Sequence, residues 1–175
     1  MKQISKFISL ILRHKPELIG LTLDENGWAN VDELIEKSNT NDNELTLDLL
    51  KQIVEENDKQ RFTFNEDYSK IRANQGHTVK VDLELESTTP PEFLYHGTVE
   101  KFIDSIKENG LKPIERLHVH LSKDIDTAKN VGSRRGSPII LKIQSLKMHE
   151  NNHVFYLSKN GVWLCDAVPT EYIQF

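Results

Sequence analysis

Apolar residues recur at helical spacing through the first part of the chain. This period predicts three helices, over residues 2–13, 31–37 and 46–56. Asn30 stands immediately before the second helix and is a candidate N-cap, because its short side chain can accept a hydrogen bond from the first turn. Pro16 limits the continuation of the first helix.

The period changes to two after residue 60. Residues 61–64 and 68–72 alternate between apolar and polar side chains, and the Asn-Glu-Asp segment at 65–67 has the composition of a turn. Three helices followed by a β-hairpin form the pattern of a winged-helix domain. We therefore predict a winged-helix lobe over residues 1–83.

A Ser-Thr-Thr-Pro-Pro stretch within residues 84–91 predicts a linker. Short strands and short amphipathic helices follow it, which is typical of an α+β domain with a mostly antiparallel sheet. We assign residues 84–175 to this second lobe. Its predicted strands cover residues 93–98, 117–121, 138–143, 154–157 and 161–165, and its predicted helices cover residues 100–109 and 125–131.

Composition narrows the setting in which the chain works. Cys165 is its only cysteine, which excludes an intramolecular disulfide and a cysteine-rich zinc site. No apolar run approaches the roughly 20 residues of a membrane span, and no small-residue cleavage site follows the first apolar segment. We therefore expect a cytoplasmic protein with no membrane partner, and a monomer by default.

The charge is acidic overall. The net charge is −5, and residues 1–85 carry 11 basic and 16 acidic side chains. This balance argues against general adhesion to nucleic acid. It permits local recognition, because a few arginines can bind one phosphate without a basic surface around them.

The arginines lie where binding sites commonly form. The chain has sixteen lysines and six arginines, and four of the arginines stand in stretches rich in His, Gly, Asn or Gln: Arg13, Arg72, Arg134 and Arg135. A guanidinium group is a planar fork that binds phosphate through two hydrogen bonds and stays charged at any working pH. We therefore predict a site for a phosphorylated substrate.

Each of these arginines also has a simpler interpretation. Arg13, with His14 beside it, lies at a predicted helix C-terminus, where the helix dipole favours cations. Arg72 at the end of the hairpin could contact nucleic-acid phosphate as part of a wing. The Gly-Ser-Arg-Arg-Gly segment could be a solvated loop, so it is the joint occurrence of these motifs that favours a phosphate site.

Histidine and glycine mark two further segments. The Tyr-His-Gly-Thr segment at 95–98 ends a predicted strand, where a glycine allows a ligand to approach the backbone closely. An ordinary strand-to-helix turn has the same composition. His118 and His120 point to one side of a predicted strand, a pattern also found in metal sites. The spacing supplies no third ligand, and we expect no metal.

Taken in order, these segments resemble the RNA 2′-phosphotransferases, the family related to the tRNA-splicing 2′-phosphate remover. The matching motifs run from about Ser5 to Asp166 and read LRHKPE, LDENGWANVDEL, IRANQGH, YHGT, HVHLS and GSRRGSPIIL. The resemblance implies an amino-terminal winged-helix lobe that binds RNA. It also implies a carboxy-terminal lobe of the ADP-ribosyltransferase fold that binds NAD⁺, with the two lobes facing each other across a cleft.

The resemblance also implies the reaction. An RNA 2′-phosphate attacks the anomeric carbon of the nicotinamide ribose and expels nicotinamide. The neighbouring ribose 2″-hydroxyl then attacks the phosphorus, which releases RNA with a 2′-hydroxyl and ADP-ribose 1″,2″-cyclic phosphate. NAD⁺ is consumed as a co-substrate, tRNA is a candidate RNA, and no metal takes part.

The family's functional residues can be carried over position by position. Its phosphate-binding set maps to Arg13, His14, Arg72 and Arg134, which the resemblance implies are catalytic. Arg135 stands where the family usually has histidine, and it competes with Arg134 for the position facing the phosphate. His77 is expected to help bind RNA or to shape the wing. The NAD⁺-binding segments map to His96, Gly97, Thr98, His120, Leu121 and Ser122.

Two other functions stay open at this point. The chain could be an ADP-ribosyltransferase that caps terminal phosphates of RNA or DNA and stops after one step. It could also be a winged-helix nucleic-acid-binding regulator that senses NAD⁺, although its acidic amino-terminal half argues against this. The catalytic glutamate of protein-modifying relatives has no evident counterpart, which favours phosphate as the acceptor.

Overall fold

The computed structural model describes residues 2–41, 43–114 and 116–175 of the chain. The fold divides into two compact units, Met1–Glu84 and Leu85–Phe175. The prediction of an α+β protein is confirmed, since the described residues form six α-helices and three small antiparallel sheets. The identities of the units as a winged-helix lobe and an ADP-ribosyltransferase-like lobe stay predictions.

Three helices form the amino-terminal unit as the apolar spacing predicts. They are α1 (Lys2–Arg13), α2 (Val31–Thr40) and α3 (Leu47–Glu56). The predicted cap is confirmed, because the Asn30 side chain accepts a hydrogen bond of 2.9 Å from the backbone N–H of Glu33. Helix α2 extends three residues beyond its predicted end at residue 37.

A β-hairpin follows the helices, as predicted. Strands β2 (Phe62–Phe64) and β3 (Lys70–Ala73) pair antiparallel. A third strand, β1 (Ala29–Asn30), pairs with the other edge of β3, so the sheet order is β1-β3-β2. The sequence prediction missed β1, because two residues are too few to show an alternating pattern.

The core of this unit also determines where its first arginine lies. Ile8, Ile11 and Leu12 of α1 are fully buried among apolar residues of α2, α3 and the sheet. Arg13 is next along α1 and continues this buried face, so it is only 8% exposed. The apolar stripe that folds the helix therefore brings a guanidinium group to the edge of the core.

The carboxy-terminal unit contains two three-stranded antiparallel sheets instead of the single sheet predicted. Backbone hydrogen bonds of 2.8 Å in both directions between Tyr95 and Ser122 connect them. One sheet has the order β4-β6-β9, with β4 (Leu94–Thr98), β6 (Ile139–Ile143) and β9 (Ile173–Gln174); the other has the order β5-β8-β7, with β5 (Val119–Leu121), β7 (Phe155–Leu157) and β8 (Trp163–Cys165).

Three helices complete this unit. Helix α4 (Ile103–Asn109) ends at Gly110, whose φ of +72° is readily adopted only by glycine. Helix α5 (Ile125–Gly132) packs on β4 and leads directly into a short 3₁₀ turn, Ser133–Arg135. Helix α6 (Ser145–Glu150) was not predicted. In the described parts of the chain, no helix is long and apolar enough to cross a membrane.

Candidate active site

Arg13 is held in place by the segment that follows β3. Its backbone carbonyl accepts hydrogen bonds from the N–H groups of Thr78 (2.9 Å) and Val79 (3.3 Å). Gly76 has a φ of +86°, and a Cβ built there would lie 3.4 Å from both Cζ and Nε of Arg13. A side chain at position 76 would therefore be in van der Waals contact with the guanidinium group, and the positive φ there is one that L residues rarely adopt.

His14 is fixed by the same segment. Its Nδ1 atom lies 3.0 Å from the hydroxyl oxygen of Thr78. Thr78 therefore contacts both neighbours, the carbonyl of Arg13 through its backbone and the ring of His14 through its side chain. This arrangement sets the orientation of the imidazole next to the buried guanidinium.

Arg72 projects from β3 and is held by the turn before β1. Its Nη1 donates a hydrogen bond of 3.3 Å to the carbonyl of Asn26, and its Cζ lies 4.3 Å from the ring centroid of Trp28. The Oε1 atom of Glu84 lies 4.0 Å from Nη1 of Arg72. Burial lowers the pKa of the Arg72 guanidinium, while the carboxylates of Glu84 and Asp24 oppose this shift.

The residues that hold these cations were not predicted from the sequence. Trp28 and Asn26 belong to the LDENGW motif, and Gly76 and Thr78 follow Arg72 within a few residues. Their presence in short motifs beside the arginines was the available signal. Their roles depend on tertiary contacts, which residue spacing does not show.

His77 lies in the interior near all three predicted cations. It is 1% exposed, and neither ring nitrogen has a hydrogen-bond partner among the described residues. Burial, followed by the charges of Arg13, His14 and Arg72, lowers the pKa of His77 to about 4. The structure therefore brings these three cations within electrostatic reach of one imidazole. Of the two roles expected for His77, its burial favours shaping the unit over contacting RNA.

His96 in the carboxy-terminal unit has a defined tautomer. Its Nδ1 lies 3.1 Å from the backbone oxygen of His120. A carbonyl oxygen only accepts, so Nδ1 carries the hydrogen and Nε2 of the neutral ring is an acceptor. Burial lowers the pKa of His96, which favours this neutral form; the charge of Arg135 acts in the same direction, and the bond to His120 opposes both.

His120 has the opposite tautomer. Its Nδ1 lies 3.1 Å from Nη1 of Arg116. A guanidinium group only donates, so Nδ1 accepts and Nε2 carries the hydrogen. Arg116 was not predicted from the sequence. In these tautomers Nε2 is an acceptor in His96 and a donor in His120.

Gly97 is required by a close contact between a strand and a helix. A Cβ built there would lie 1.7 Å from the carbonyl oxygen of Ala128 and 2.8 Å from the backbone nitrogen of Gly132. The sequence interpretation was that this glycine admits a ligand to the backbone. In the structure, the space beside Gly97 is occupied by the backbone of α5.

The other residues of the two segments predicted to bind NAD⁺ also make largely structural contacts. The side chains of Thr98 and Leu121 are buried, with exposures of 5% and 1%. The backbone N–H and carbonyl of Ser122 are both bonded to Tyr95. These segments mainly position His96 and His120.

Arg134 and Arg135 lie on the turn after α5, and both are exposed. The guanidinium of Arg135 is 5.7 Å from the ring centroid of Phe102. Its charge also acts on His96. Of the two arginines, Arg135 is therefore the one whose charge acts on His96.

The ring of His118 packs against an aromatic side chain. It contacts Tyr156 edge-on, with centroids 5.7 Å apart. Across residues 2–41, 43–114 and 116–175, no three His, Cys, Asp or Glu side chains are grouped to hold a metal ion.

Two groups of side chains result, one in each unit. We call Arg13, His14 and Arg72 the amino-terminal set, and His96, His120, Arg134 and Arg135 the carboxy-terminal set. Fixed guanidinium groups beside an imidazole are suited to binding phosphate and to stabilising charge on its oxygens. Such an arrangement is typical of an enzyme that transfers phosphate.

Comparison with known proteins identifies the enzyme family to which this chain belongs. Residues 1–167 match the model of the RNA 2′-phosphotransferase, Tpt1 / KptA family. The chain belongs to this family and is an enzyme of the RNA 2′-phosphotransferase type, which confirms the resemblance of its motifs.

Several relatives match over nearly their whole length, and each is described as a probable RNA 2′-phosphotransferase. The protein of Flavobacterium johnsoniae is 59% identical over 174 residues, covering 99% of this chain and 96% of the relative. That of Fusobacterium nucleatum is 55% identical, covering 99% and 97%. That of Rhodopirellula baltica is 54% identical, covering 98% and 94%.

Proposed function

We propose that this enzyme removes a 2′-phosphate from RNA by transferring it to ADP-ribose derived from NAD⁺. Membership of the family supports an RNA 2′-phosphate as the group removed. The observation that carries the proposal is the amino-terminal set, in which Arg13 is buried against Gly76 and His14 is fixed by Thr78. These groups are in place before a phosphate binds.

The first step is largely a matter of positioning. The 2′-phosphate oxygen attacks C1″ of the nicotinamide ribose, and the bond from C1″ to nicotinamide breaks. Nicotinamide leaves as a neutral molecule because it takes the bonding electrons to its positive nitrogen. Arg13, His14 and Arg72 hold the phosphate, so that the reacting atoms meet without a further loss of rotational freedom.

The second step builds charge on the transferred phosphate. The ribose 2″-hydroxyl attacks the phosphorus as the bond to the RNA 2′-oxygen breaks, and the proton that the 2″-hydroxyl loses is balanced by the one that the departing 2′-oxygen gains. The products are RNA with a 2′-hydroxyl and ADP-ribose 1″,2″-cyclic phosphate. Arg134 is proposed as a further phosphate ligand, and fixed guanidinium groups stabilise the charge that develops on the equatorial oxygens.

The carboxy-terminal set is proposed to bind NAD⁺. Nε2 of His96 is an acceptor and suits a ribose hydroxyl. Nε2–H of His120 is a donor and suits an oxygen of the same ligand. Arg135 adds a positive charge near His96, which is appropriate for a ligand that carries phosphate.

One experiment tests the reaction. The purified protein is mixed with NAD⁺ and a short RNA carrying one internal 2′-phosphate, and both products are followed by mass spectrometry. We expect the RNA to lose its phosphate in step with the appearance of ADP-ribose cyclic phosphate. The same RNA with a 2′-hydroxyl is the control.

Other results would point elsewhere. A stable ADP-ribosylated RNA as the main product would favour the capping enzyme over the two-step reaction. Phosphate loss without NAD⁺ would contradict the proposed co-substrate. The regulator interpretation loses support because the chain belongs to an enzyme family.

A further inference from the structure

A groove of about 630 Å³ runs along one side of α1 and ends at Arg13 and His14, two members of the amino-terminal set. On α1 it is lined by Lys2, Lys6, Ser9 and Arg13, whose spacing of four, three and four residues places them on one helical face. His14 lies at the same end as Arg13. The groove therefore connects a row of polar and basic side chains to the predicted phosphate-binding residues.

The opposite wall is formed by the segment that follows α3. It includes Asn57 and Arg61, and the Asn57 side chain accepts a hydrogen bond of 3.1 Å from the N–H of Arg61. Asn74 binds the same wall, because it donates to the carbonyls of Gln60 (2.6 Å) and Arg61 (2.8 Å). Asn74 lies two residues after Arg72, so the position of this wall is tied to that of a predicted catalytic arginine.

The charge of this groove differs from that of the unit around it. Five basic and two acidic side chains line it, whereas the rest of residues 1–84 carries six basic and fourteen acidic ones. An anion that approaches this acidic unit is therefore attracted to one place. The basic residues of the lining are Lys2, Lys6, Arg13, Lys59 and Arg61, and the acidic ones are Glu56 and Asp58.

We propose that this groove binds the stretch of RNA strand next to the 2′-phosphorylated nucleotide. Lys2, Lys6 and Arg61 contact its backbone phosphates, while Arg13 and His14 hold the 2′-phosphate itself. This assignment rests on the proposed function and extends it to the part of the substrate that does not react.

The dimensions agree with a strand of several nucleotides. At about 1.5 Å per residue, Lys2 and Arg13 are separated by about 16 Å along α1. Successive nucleotides of a helical strand rise by about 3.4 Å. Phosphate contacts position a strand without reading its bases, so the groove selects for substrate length and not for sequence.

The experiment compares charge reversal inside and outside the groove. Lys6 is exposed on α1, so Lys6→Glu leaves the core intact, and Lys51→Glu makes the same change on α3 outside the groove. Each protein is assayed at low salt with two substrates, a 2′-phosphorylated dinucleotide and a 12-mer with a central 2′-phosphate.

We expect Lys6→Glu to raise KM for the 12-mer about ten-fold more than KM for the dinucleotide. It should also reduce the slope of log affinity against log salt by about one, as for the loss of one phosphate contact. Arg61→Gln on the opposite wall should show the same dependence on length. Lys51→Glu should leave the ratio of the two KM values as in the wild type.

Binding without NAD⁺ separates this proposal from the proposed function. Fluorescence anisotropy of the 12-mer measures the groove even if no turnover is found, so failure of the reaction would not hide it. Equal effects of Lys6→Glu on the 12-mer and the dinucleotide would overturn the proposal. So would a wild-type protein that binds the 12-mer no more tightly than the dinucleotide.

Discussion

The arginines of the two units are held in opposite ways. Arg13 is buried against Gly76, and Arg72 lies over the ring of Trp28 with its Nη1 bonded to a backbone carbonyl. Arg134 and Arg135 are exposed on a short turn. The first pair is ordered by the fold, so these side chains lose little further conformational entropy when a ligand binds. The second pair is exposed to solvent, so its side chains have more conformational freedom to lose when a ligand binds.

Replacement of each arginine by lysine tests this difference most strongly. Arg13→Lys should reduce the single-turnover rate of 2′-phosphate removal by about 10²- to 10³-fold, as for the loss of one preorganised donor. The reason is that a flexible ammonium cannot reproduce a planar fork packed beside Gly76. Arg134→Lys should cost about ten-fold or less, because an exposed lysine can still reach a phosphate.

The rates are to be measured on proteins with the same melting temperature as the wild type. Comparable losses in the two variants would show that burial does not distinguish these arginines. Full turnover by Arg13→Ala would show that Arg13 is not a catalytic residue.

Replacing each of two glycines by alanine distinguishes an effect on the stability of the fold from an effect on the candidate active site. Gly97→Ala places a Cβ 1.7 Å from a backbone oxygen of α5, and we expect a loss of about 3 kcal/mol or more in the free energy of unfolding. At Gly76 the nearest atoms belong to the Arg13 side chain, at 3.4 Å. Gly76→Ala should lower the free energy of unfolding by about 1–2 kcal/mol because of its positive φ. Relative to this loss of stability, we expect it to reduce turnover more than Gly97→Ala does.

Urea unfolding followed by circular dichroism measures both changes. Gly161→Ala is the control, because it has a φ of +81° but no atom within 4 Å of the added Cβ. If Gly97→Ala were no less stable than this control, the close contact between β4 and α5 would be wrong.

The buried imidazole of His77 predicts a dependence of stability on pH. Its folded pKa of about 4 lies below the ordinary value of 6.5, so the unfolded chain takes up the proton first. The stabilisation is complete above about pH 6.5 and is lost as the pH falls towards 4. This loss is on the order of 3 kcal/mol.

His77→Gln should therefore flatten the pH dependence of the free energy of unfolding between pH 6.5 and 4. Asp and Glu residues titrate in both proteins, so the difference between the two curves isolates His77. Parallel curves would contradict a neutral, buried His77 beside three cations.

The smallest effect is expected at Thr78. Thr78→Val keeps the shape of the side chain and removes the hydrogen bond to Nδ1 of His14, which contributes about 1 kcal/mol. We expect turnover to fall about five-fold. Thr78→Ser should restore it, and unchanged turnover in the valine variant would show that Thr78 does not orient His14.

The local parts of this structure could be predicted from the sequence. Helix α1 has the predicted bounds, and Asn30 caps α2 as expected, because periodicity and capping depend on neighbouring residues. Strands β1 and β9 were missed, since each has two residues and exists only through pairing with a distant strand.

In the candidate site, too, some residues could be predicted from the sequence and others could not. Arg13, His14 and Arg72 could be named from their motifs, but Trp28 beneath Arg72 could not, because that contact crosses from the turn before β1 to the hairpin. The burial of His77 and the packing at Gly97 are also tertiary. Sequence spacing shows which residues are unusual, whereas only packing shows whether each one faces a ligand or supports a neighbour.

The contact of β4 with α5 has a consequence for protein engineering. A Cβ built at Gly132 would lie 3.1 Å from backbone atoms of both Gly97 and Thr98, so the two main chains touch at the last residue of the helix. The turn with Arg134 begins at the next residue. Its starting point is therefore set by two main chains and by the side chain of Pro138, also at 3.1 Å, so the exposed side chains at positions 134 and 135 can be redesigned without altering the register of helix and strand.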